Sequence, residues 1–149
     1  MMKHIILRLA FGLATIFLAT TAPSSVQATE ITVYKSPTCG CCSGWVDHMK
    51  ANGYTVISKN TDDLETIKEV LGVPELFQSC HTATVDGYII EGHVPADDVS
   101  RLLREKPKAT GLAAPGMPAG SPGMEVGSKD KYDVLLFKSD GTADVYTSY

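Results

Sequence analysis

Apolar residues recur with two different periods after residue 30, and the change from one period to the other predicts a strand followed by a helix. Ile31 and Val33 alternate with polar residues, as in a strand with one buried face. Trp45 and Met49 recur at helical spacing, and Gly53 ends the helix that contains them. The first predicted unit of the domain is therefore a strand and a helix.

A second strand and helix are predicted directly after this unit. Residues 54–58 have the composition of a strand, and residues 61–65 supply the capping side chains of a helix that ends at Gly72 and Pro74. The apolar residues predicted to share one face of this helix are Leu64, Ile67, Val70 and Leu71.

A hairpin and a third helix follow. Residues 82–85 and 88–91 flank Asp86-Gly87, which is a strong signal for a two-residue hairpin turn. Residues 96–105 have helical periodicity, and Pro107 marks the end of that helix. The order strand, helix, strand, helix, hairpin, helix is that of a thioredoxin-like core, so we predict an α/β domain in which helices flank a mixed sheet.

The rest of the chain extends this core with a loop and a C-terminal hairpin. Residues 108–127 are rich in Gly, Pro and Ala, which is typical of a linker. This segment also contains Met117 and Met124, for which a plain linker has little use. The last hairpin is predicted over residues 132–137 and 142–146.

The N-terminus has the pattern of a secretory signal peptide. Two basic residues precede an apolar stretch over residues 9–19, and small residues resembling a cleavage site end at Ala28. The apolar stretch is too short for a membrane anchor. We therefore expect residues 1–28 to be removed and residues 29–149 to form a single exported domain without a stable membrane anchor.

Charge argues against nucleic acid as a partner. The whole chain has 13 basic and 17 acidic residues, and removal of residues 1–28 takes away Lys3 and Arg8, which leaves 11 basic residues and a net charge of −6. Because binding to the phosphate backbone requires a basic surface, we expect no nucleic acid partner.

Three of the four cysteines crowd into the junction between the first strand and helix, as Cys39, Cys41 and Cys42. Two structural disulfides are the default for an exported domain with four cysteines. Adjacent Cys41 and Cys42 could pair only in a strained ring, which weakens that interpretation. The free N–H groups at a helix N-terminus stabilise thiolates, so the position also suits a redox nucleophile or a metal ligand.

The fourth cysteine stands beside a histidine at the entrance to the first hairpin, which in a thioredoxin-like sheet faces the cysteine loop. Thiolate and thioether are soft ligands that select Cu(I), while zinc also accepts cysteine and histidine. The thioethers of the methionines favour copper over zinc as the bound ion, although the cysteines and the histidine could also bind zinc. The candidate metal ligands are Cys39, Cys41, Cys42, Cys80, His81, Met117 and Met124.

Several separated motifs resemble those of the exported CopG-type copper-resistance proteins, a family also described as a domain of unknown function with a metal-binding role. The motifs are Cys39-Gly40-Cys41-Cys42 with Trp45 and His48, Ser79-Cys80-His81-Thr82-Ala83, Gly87-Tyr88, Glu91-Gly92-His93-Val94-Pro95, Pro115-Gly116-Met117-Pro118 and Gly123-Met124-Glu125. This resemblance implies a thioredoxin-like domain in the periplasm of a Gram-negative bacterium, with a part in copper handling alongside other periplasmic copper proteins.

Two hypotheses from different functional classes remain. In the first, the protein binds Cu(I) and sequesters it or passes it on. In the second, it is a thiol or copper oxidoreductase in which Cys39 attacks and Cys42 resolves. Cys41 between this pair, and Cys80-His81 where thioredoxin-like enzymes carry a cis-proline, favour metal binding. His93 is interpreted as either a hydrogen-bonding group behind the ligands or a loop residue.

Overall fold

The computed structural model describes residues 28–149, so the predicted signal peptide lies outside the described residues apart from its last position. None of the helices in this part of the chain is long and apolar enough to cross a membrane. The elements are β1 Glu30–Lys35, α1 Gly40–Ala51, β2 Thr55–Asn60, α2 Leu64–Leu71, a 3-10 helix Glu75–Phe77, β3 His81–Val85, β4 Tyr88–Gly92, α3 Ala96–Glu105, β5 Gly111–Ala114, β6 Asp133–Phe137 and β7 Ala143–Ser148.

All seven strands of the described chain form one mixed sheet in the order β2-β1-β3-β4-β5-β6-β7. Two neighbouring pairs, β1 with β2 and β4 with β5, run parallel, and the other four pairs run antiparallel. The arrangement of β1 to α3 agrees with the predicted α/β class and with a thioredoxin-like core.

Two apolar cores cover the two faces of the sheet. The larger core contains Trp45 and Met49 of α1 and Leu102 of α3, all three fully buried, together with Ile90 of β4. The smaller core lies on the other side and includes Ile89. Because Ile89 and Ile90 are consecutive in one strand, their side chains point to opposite faces. Trp45 and Met49, which recur at helical spacing in the sequence, are thus core residues.

The segment predicted as a loop over residues 108–127 contains a strand that the sequence does not predict. Residues Gly111–Ala114 form β5, which is buried throughout and lies between β4 and β6. A short central strand covered on both faces has no alternation of polar and apolar residues, so it gives no period-two signal. The part of the segment that follows β5, residues 115–127, is irregular.

Helix α2 has the predicted bounds, but the prediction of its inward face is wrong at two positions. Val70 is 78% exposed, whereas Lys68 is 5% exposed. The lysine ammonium group donates hydrogen bonds to Glu91 and Thr82 of the sheet, which compensates its removal from water. An ionic contact, rather than an apolar one, fixes this part of α2 on the sheet.

Candidate metal centre

The chain turns from β1 into α1 at the cysteine cluster. The backbone N–H of Cys39 donates to Ser36 O at 3.2 Å, and Cys39 is the N-cap residue of α1. Its Sγ accepts a hydrogen bond from the backbone N–H of Cys42 at 3.3 Å. The helix N-terminus therefore directs an N–H group at Cys39 Sγ, and stabilisation of a thiolate at this position stays a prediction.

The structure contains a disulfide between Cys39 and Cys42, and Cys41 and Cys80 are free thiols. Cys41 Sγ lies 3.4 Å from Cys39 Sγ. Two structural disulfides, one of the interpretations open from sequence, are therefore not the arrangement observed. The bonded pair is the one that the oxidoreductase hypothesis requires.

Cys80 brings the fourth sulfur to this cluster from the start of β3. Its carbonyl oxygen lies 3.6 Å from Cys42 Sγ. The four cysteine sulfurs all lie within 4.8 Å of one another. One of the predicted groups of soft ligands is thus assembled from two distant stretches of the chain.

Cys80 also belongs to a second group, in which it is joined by His81 and His93. Its Sγ lies 2.9 Å from His93 Nε2 and 3.4 Å from His81 Nδ1. One ligand atom from each of the three residues lies within 4.8 Å of the others. The two groups therefore share Cys80, which can contact ions on both sides.

The hydrogen bonds of His93 determine which of its nitrogens faces the thiol. Nδ1 donates to the carbonyl oxygen of Pro122 at 2.8 Å, so in the neutral ring Nε2 carries the lone pair. Burial lowers the pKa of His93, and burial together with the charge of nearby Cys41 raises the pKa of Cys80 to about 12. Both groups are thus neutral near pH 7, with the thiol donating to Nε2.

His81 is a buried imidazole with one unsatisfied nitrogen. Its ring packs against Trp45 at 4.5 Å and against His93 at 5.0 Å between centroids. Its Nε2 has no hydrogen-bond partner among the described residues. Burial, with the neighbouring His93 and the Lys68 ammonium as further causes, lowers the pKa of His81 well below its ordinary value. A neutral imidazole has one nitrogen with a lone pair, which fits the chemistry of a metal ligand, and Nδ1 is the nitrogen that faces Cys80 Sγ.

The irregular segment 115–127 packs against both halves of the cluster. Ser79 and Gly116 are joined by a bridge and by a hydrogen bond from the serine hydroxyl to the glycine carbonyl. A Cβ on Gly123 would lie 2.5 Å from Cys41 O and 2.6 Å from Trp45 N. Met124 is partly buried and Met117 is 55% exposed. The ligand role of the two methionines stays a prediction.

Helix α1 also fixes the segment that follows His93. The indole N–H of Trp45 donates to Val94 O at 2.8 Å, and the backbone N–H of Ala96 donates to His48 Nε2 at 3.1 Å. His48 is therefore partly buried, and its ring accepts a hydrogen bond from the first backbone N–H of α3. Burial lowers its pKa, with Glu125 and Asp97 acting in the opposite direction.

His93 belongs to the second group, although the sequence motifs predict only a hydrogen-bonding group or a loop residue there, and the hairpin register contains a signal for its position. In the structure, Val85 pairs with Tyr88 and Thr82 with Glu91. The two-residue turn at Asp86-Gly87 fixes that register, and its continuation places His93 opposite Cys80. The hairpin register thus predicts that His93 lies beside Cys80, whereas the spacing of the motifs alone does not.

A family model described as "Protein of unknown function, DUF411" matches residues 77–124, and no curated protein matches the chain. Two solved structures, form 2 and form 1 of the copper resistance protein CopG, are each 44% identical to the chain and cover 83% of it. They align over 99% and 98% of their own lengths, with TM-scores of 0.79 and 0.78.

The chain belongs to the CopG copper-resistance family. The similarity spans nearly the whole of the solved CopG chains, so it includes both strands of the first hairpin, the cysteine loop and the extension beyond α3. Membership in the CopG family confirms the resemblance seen in the sequence motifs, and the cysteine cluster gives this CopG relative a potential metal site.

Proposed function

We propose that this protein is a periplasmic copper-binding protein of copper resistance and homeostasis, which holds Cu(I) through its cysteine cluster and the adjoining Cys-His pair. The single observation that carries the proposal is the convergence of four sulfurs and two imidazoles into two groups that share Cys80. Thiolate and imidazole are favourable ligands for Cu(I), and the absence of a carboxylate from these groups disfavours hard ions such as Mg²⁺ or Ca²⁺.

The shared thiol supports binding of more than one ion. A thiolate has several lone pairs, so Cys80 can bridge an ion held by the cysteine loop and an ion held by His81 and His93. Each thiol that becomes a ligand releases its proton, and the neutral imidazoles bind without losing one. Copper is cargo in this proposal, and the protein supplies the ligands.

Full use of the cluster requires the reduced protein. The Cys39–Cys42 disulfide must take up two electrons and two protons before both sulfurs can act as thiolate ligands. In the oxidised protein, the thiols of Cys41 and Cys80 and the two imidazoles remain available. We therefore expect the number of bound copper ions to depend on the oxidation state of the loop.

The same disulfide favours the second candidate function, a thiol or copper oxidoreductase. In that case the dithiol form of Cys39 and Cys42 would reduce two Cu(II) ions to Cu(I), forming the disulfide and releasing two protons. The described chain has no cis peptide bond before β3, where His81 and Cys80 stand instead. This replacement of the usual substrate-binding proline by metal ligands is the reason that copper binding is preferred.

The proposed location follows from the predicted signal peptide over residues 1–28. An exported domain would meet copper and the donor or acceptor proteins of copper handling in the periplasm, and disulfides persist in that compartment. The periplasmic assignment is tested by fractionation of cells that express the full chain. Recovery of an uncleaved protein from the cytoplasm would contradict it.

Anaerobic titration of residues 29–149 tests the copper assignment. The fully reduced protein is titrated with Cu(I) in competition with a calibrated Cu(I) chelator, and bound metal is counted by elemental analysis. We expect Cu(I) to be retained far more tightly than Zn²⁺ and the oxidised protein to hold fewer ions. Equal or better retention of zinc by the reduced protein would overturn the copper assignment.

A further inference from the structure

A buried ionic network lies under the metal centre, on the α2 side of the sheet. Glu91 of β4 is fully buried, and its carboxylate accepts hydrogen bonds from Lys68 Nζ, from the hydroxyl of Thr82 at 2.6 Å and from the backbone N–H of Ser79 at 2.7 Å. Lys68 Nζ also donates to Thr82 Oγ1 at 2.8 Å. The carboxylate thus joins α2, the entrance to β3, and β4.

The contacts of Glu91 with Ser79 and Thr82 lie on either side of the candidate ligands Cys80 and His81. Ser79 immediately precedes Cys80, and Thr82 immediately follows His81. Glu91 itself lies two residues before His93 in the neighbouring strand. A single carboxylate therefore binds the backbone before one ligand pair and the side chain after it, and the third ligand follows two residues later in its own chain segment.

The free-energy cost of burying these two charges means that stability alone does not explain the network. Burial of an ammonium and a carboxylate carries a large desolvation penalty, and replacement of a buried ion pair by apolar residues is often neutral or stabilising. Apolar residues could join α2 to the sheet, as they do in the adjoining core around Phe77. They could not accept the hydrogen bond from the N–H of Ser79.

We propose that Glu91 is a positioning residue that sets the geometry of Cys80, His81 and His93, with Lys68 compensating its charge. This inference rests on the proposed function for its copper readout, but the geometry itself exists without metal. Glu91 acts through the backbone of Ser79 and the side chain of Thr82 and touches no ligand atom. Its removal is therefore expected to loosen the ligands without abolishing the fold.

The test compares two double variants that remove the same charges. Lys68→Met with Glu91→Gln keeps an acceptor for the N–H of Ser79, whereas Lys68→Met with Glu91→Met removes it. We expect the methionine pair to weaken Cu(I) affinity by about 10–100-fold, as loss of a group that orients metal ligands typically does, and the glutamine pair to restore most of it. The Cu(I)–thiolate absorption band should shift only in the methionine pair.

Asp98 of α3 provides a matched control that contacts none of the candidate ligands. It is also buried, and its carboxylate accepts hydrogen bonds from Thr147, Tyr149 and Arg101. Asp98→Asn should lower the urea midpoint of unfolding and leave copper affinity and the absorption band unchanged. Equal loss of copper affinity in Asp98→Asn and in the methionine pair would overturn the positioning role.

A metal-free readout separates this inference from the copper assignment. In the oxidised protein without metal, the methionine pair should exchange the Ser79 amide hydrogen about tenfold faster and alter the rate of Cys80 alkylation, measured by mass spectrometry. Failure of the wild type to bind Cu(I) would overturn the proposed function alone. Unchanged hydrogen exchange and alkylation would overturn the role of Glu91.

A second variant covers the case in which the methionine pair does not fold. Thr82→Val must then weaken Cu(I) binding, and an unchanged Cu(I) affinity of Thr82→Val would also overturn the role of Glu91.

Discussion

His93 Nε2 lies 2.9 Å from Cys80 Sγ across the entrance of the first hairpin, so an imidazole and a thiol from neighbouring strands meet at the point where two ligand groups overlap. Cys80 is the only cysteine in the described chain that belongs to both groups. Under the proposed function, we therefore expect the loss of this one sulfur to weaken metal binding more than the loss of a sulfur that belongs to a single group.

Cys80→Ser is expected to lower both the affinity and the number of bound Cu(I) ions, because it removes the thiol shared by the two groups. Cys41→Ser, the matched control, removes a free thiol from one group only and should lose less copper. Both variants should unfold cooperatively, with a change in unfolding free energy below about 1.5 kcal/mol. Competition with a Cu(I) chelator measures the copper affinity, and urea unfolding measures the stability.

A loss of about 2–5 kcal/mol in unfolding free energy, with unchanged copper binding, would indicate that Cys80 forms a structural disulfide in solution.

Replacement of Met117 and Met124 by Ala is expected to weaken Cu(I) retention several-fold if the thioethers bind or cover the ion. Alkylation of Cys39 in the reduced protein should be unchanged or faster. Val126→Ala is the matched control, because Val126 is an apolar residue of the same segment that is 70% exposed. It should affect neither copper retention nor alkylation.

The methionine variant also separates the two candidate functions. Reduction of a model disulfide or of Cu(II) by an oxidoreductase depends on Cys39 and Cys42 and is nearly indifferent to thioethers. Multiple-turnover reductase activity in the wild type, combined with unchanged copper affinity in the double methionine variant, would favour the oxidoreductase hypothesis over copper binding.

Gly123→Ala is expected to displace the irregular segment from α1. Gly123 has φ +86°, and a Cβ there would overlap Cys41 O and Trp45 N. Gly127 has φ +77° with nothing within 4 Å of a Cβ, so Gly127→Ala isolates the cost of the backbone conformation, about 1–2 kcal/mol. The added clash should bring the loss in Gly123→Ala to about 3 kcal/mol or more by urea unfolding and should expose Cys41 to alkylation. Equal losses in the two variants would contradict the close approach.

Stability of the metal-free protein is expected to fall as the pH decreases from about 7.5 to 5.5. Burial lowers the pKa of His48, His81 and His93 below the ordinary value of 6.5, so the folded protein keeps these rings neutral while the unfolded chain takes up protons. Proton uptake by the unfolded state lowers the unfolding free energy, by a total on the order of 1–3 kcal/mol.

Urea unfolding at several pH values measures this loss, and NMR titration of the imidazole resonances assigns it. The buried carboxyl of Glu91 has a raised pKa and acts in the opposite direction, so the assignment of the imidazoles is needed. A stability that rises on acidification, with imidazole resonances that titrate near pH 6.5, would contradict the prediction.

Much of the fold could be predicted because several elements carry local signals of turn or period. The turn at Asp86-Gly87 and the apolar periodicity of α1 and α3 are local signals, and the structure agrees with them. Strand β5 could not be predicted, because its residues are buried on both faces and have no period. The burial of Lys68 could not be predicted either, since it depends on a carboxylate 23 residues away in the chain.

In the candidate site, too, the features with a local sequence signal could be predicted and the others could not. The sequence motifs and the predicted topology place five of the candidate ligands close together, and the structure brings them together. These are Cys39, Cys41, Cys42, Cys80 and His81. The disulfide partner of Cys39 could not be assigned, because spacing permits several pairings. Hydrogen bonds such as that of His93 to Pro122 come from distant parts of the chain and have no local sequence signal.

The C-terminal hairpin has a consequence for assembly. Strand β5 is an apolar run whose outer edge is covered by β6, through the pairs of Gly111 with Phe137 and Leu112 with Leu136. An uncovered edge of this kind is a template for addition of a strand from another molecule. The hairpin supplies that strand from within the chain, so a chain that ends before residue 132 should self-associate through β5, and sedimentation analysis would detect the resulting oligomers.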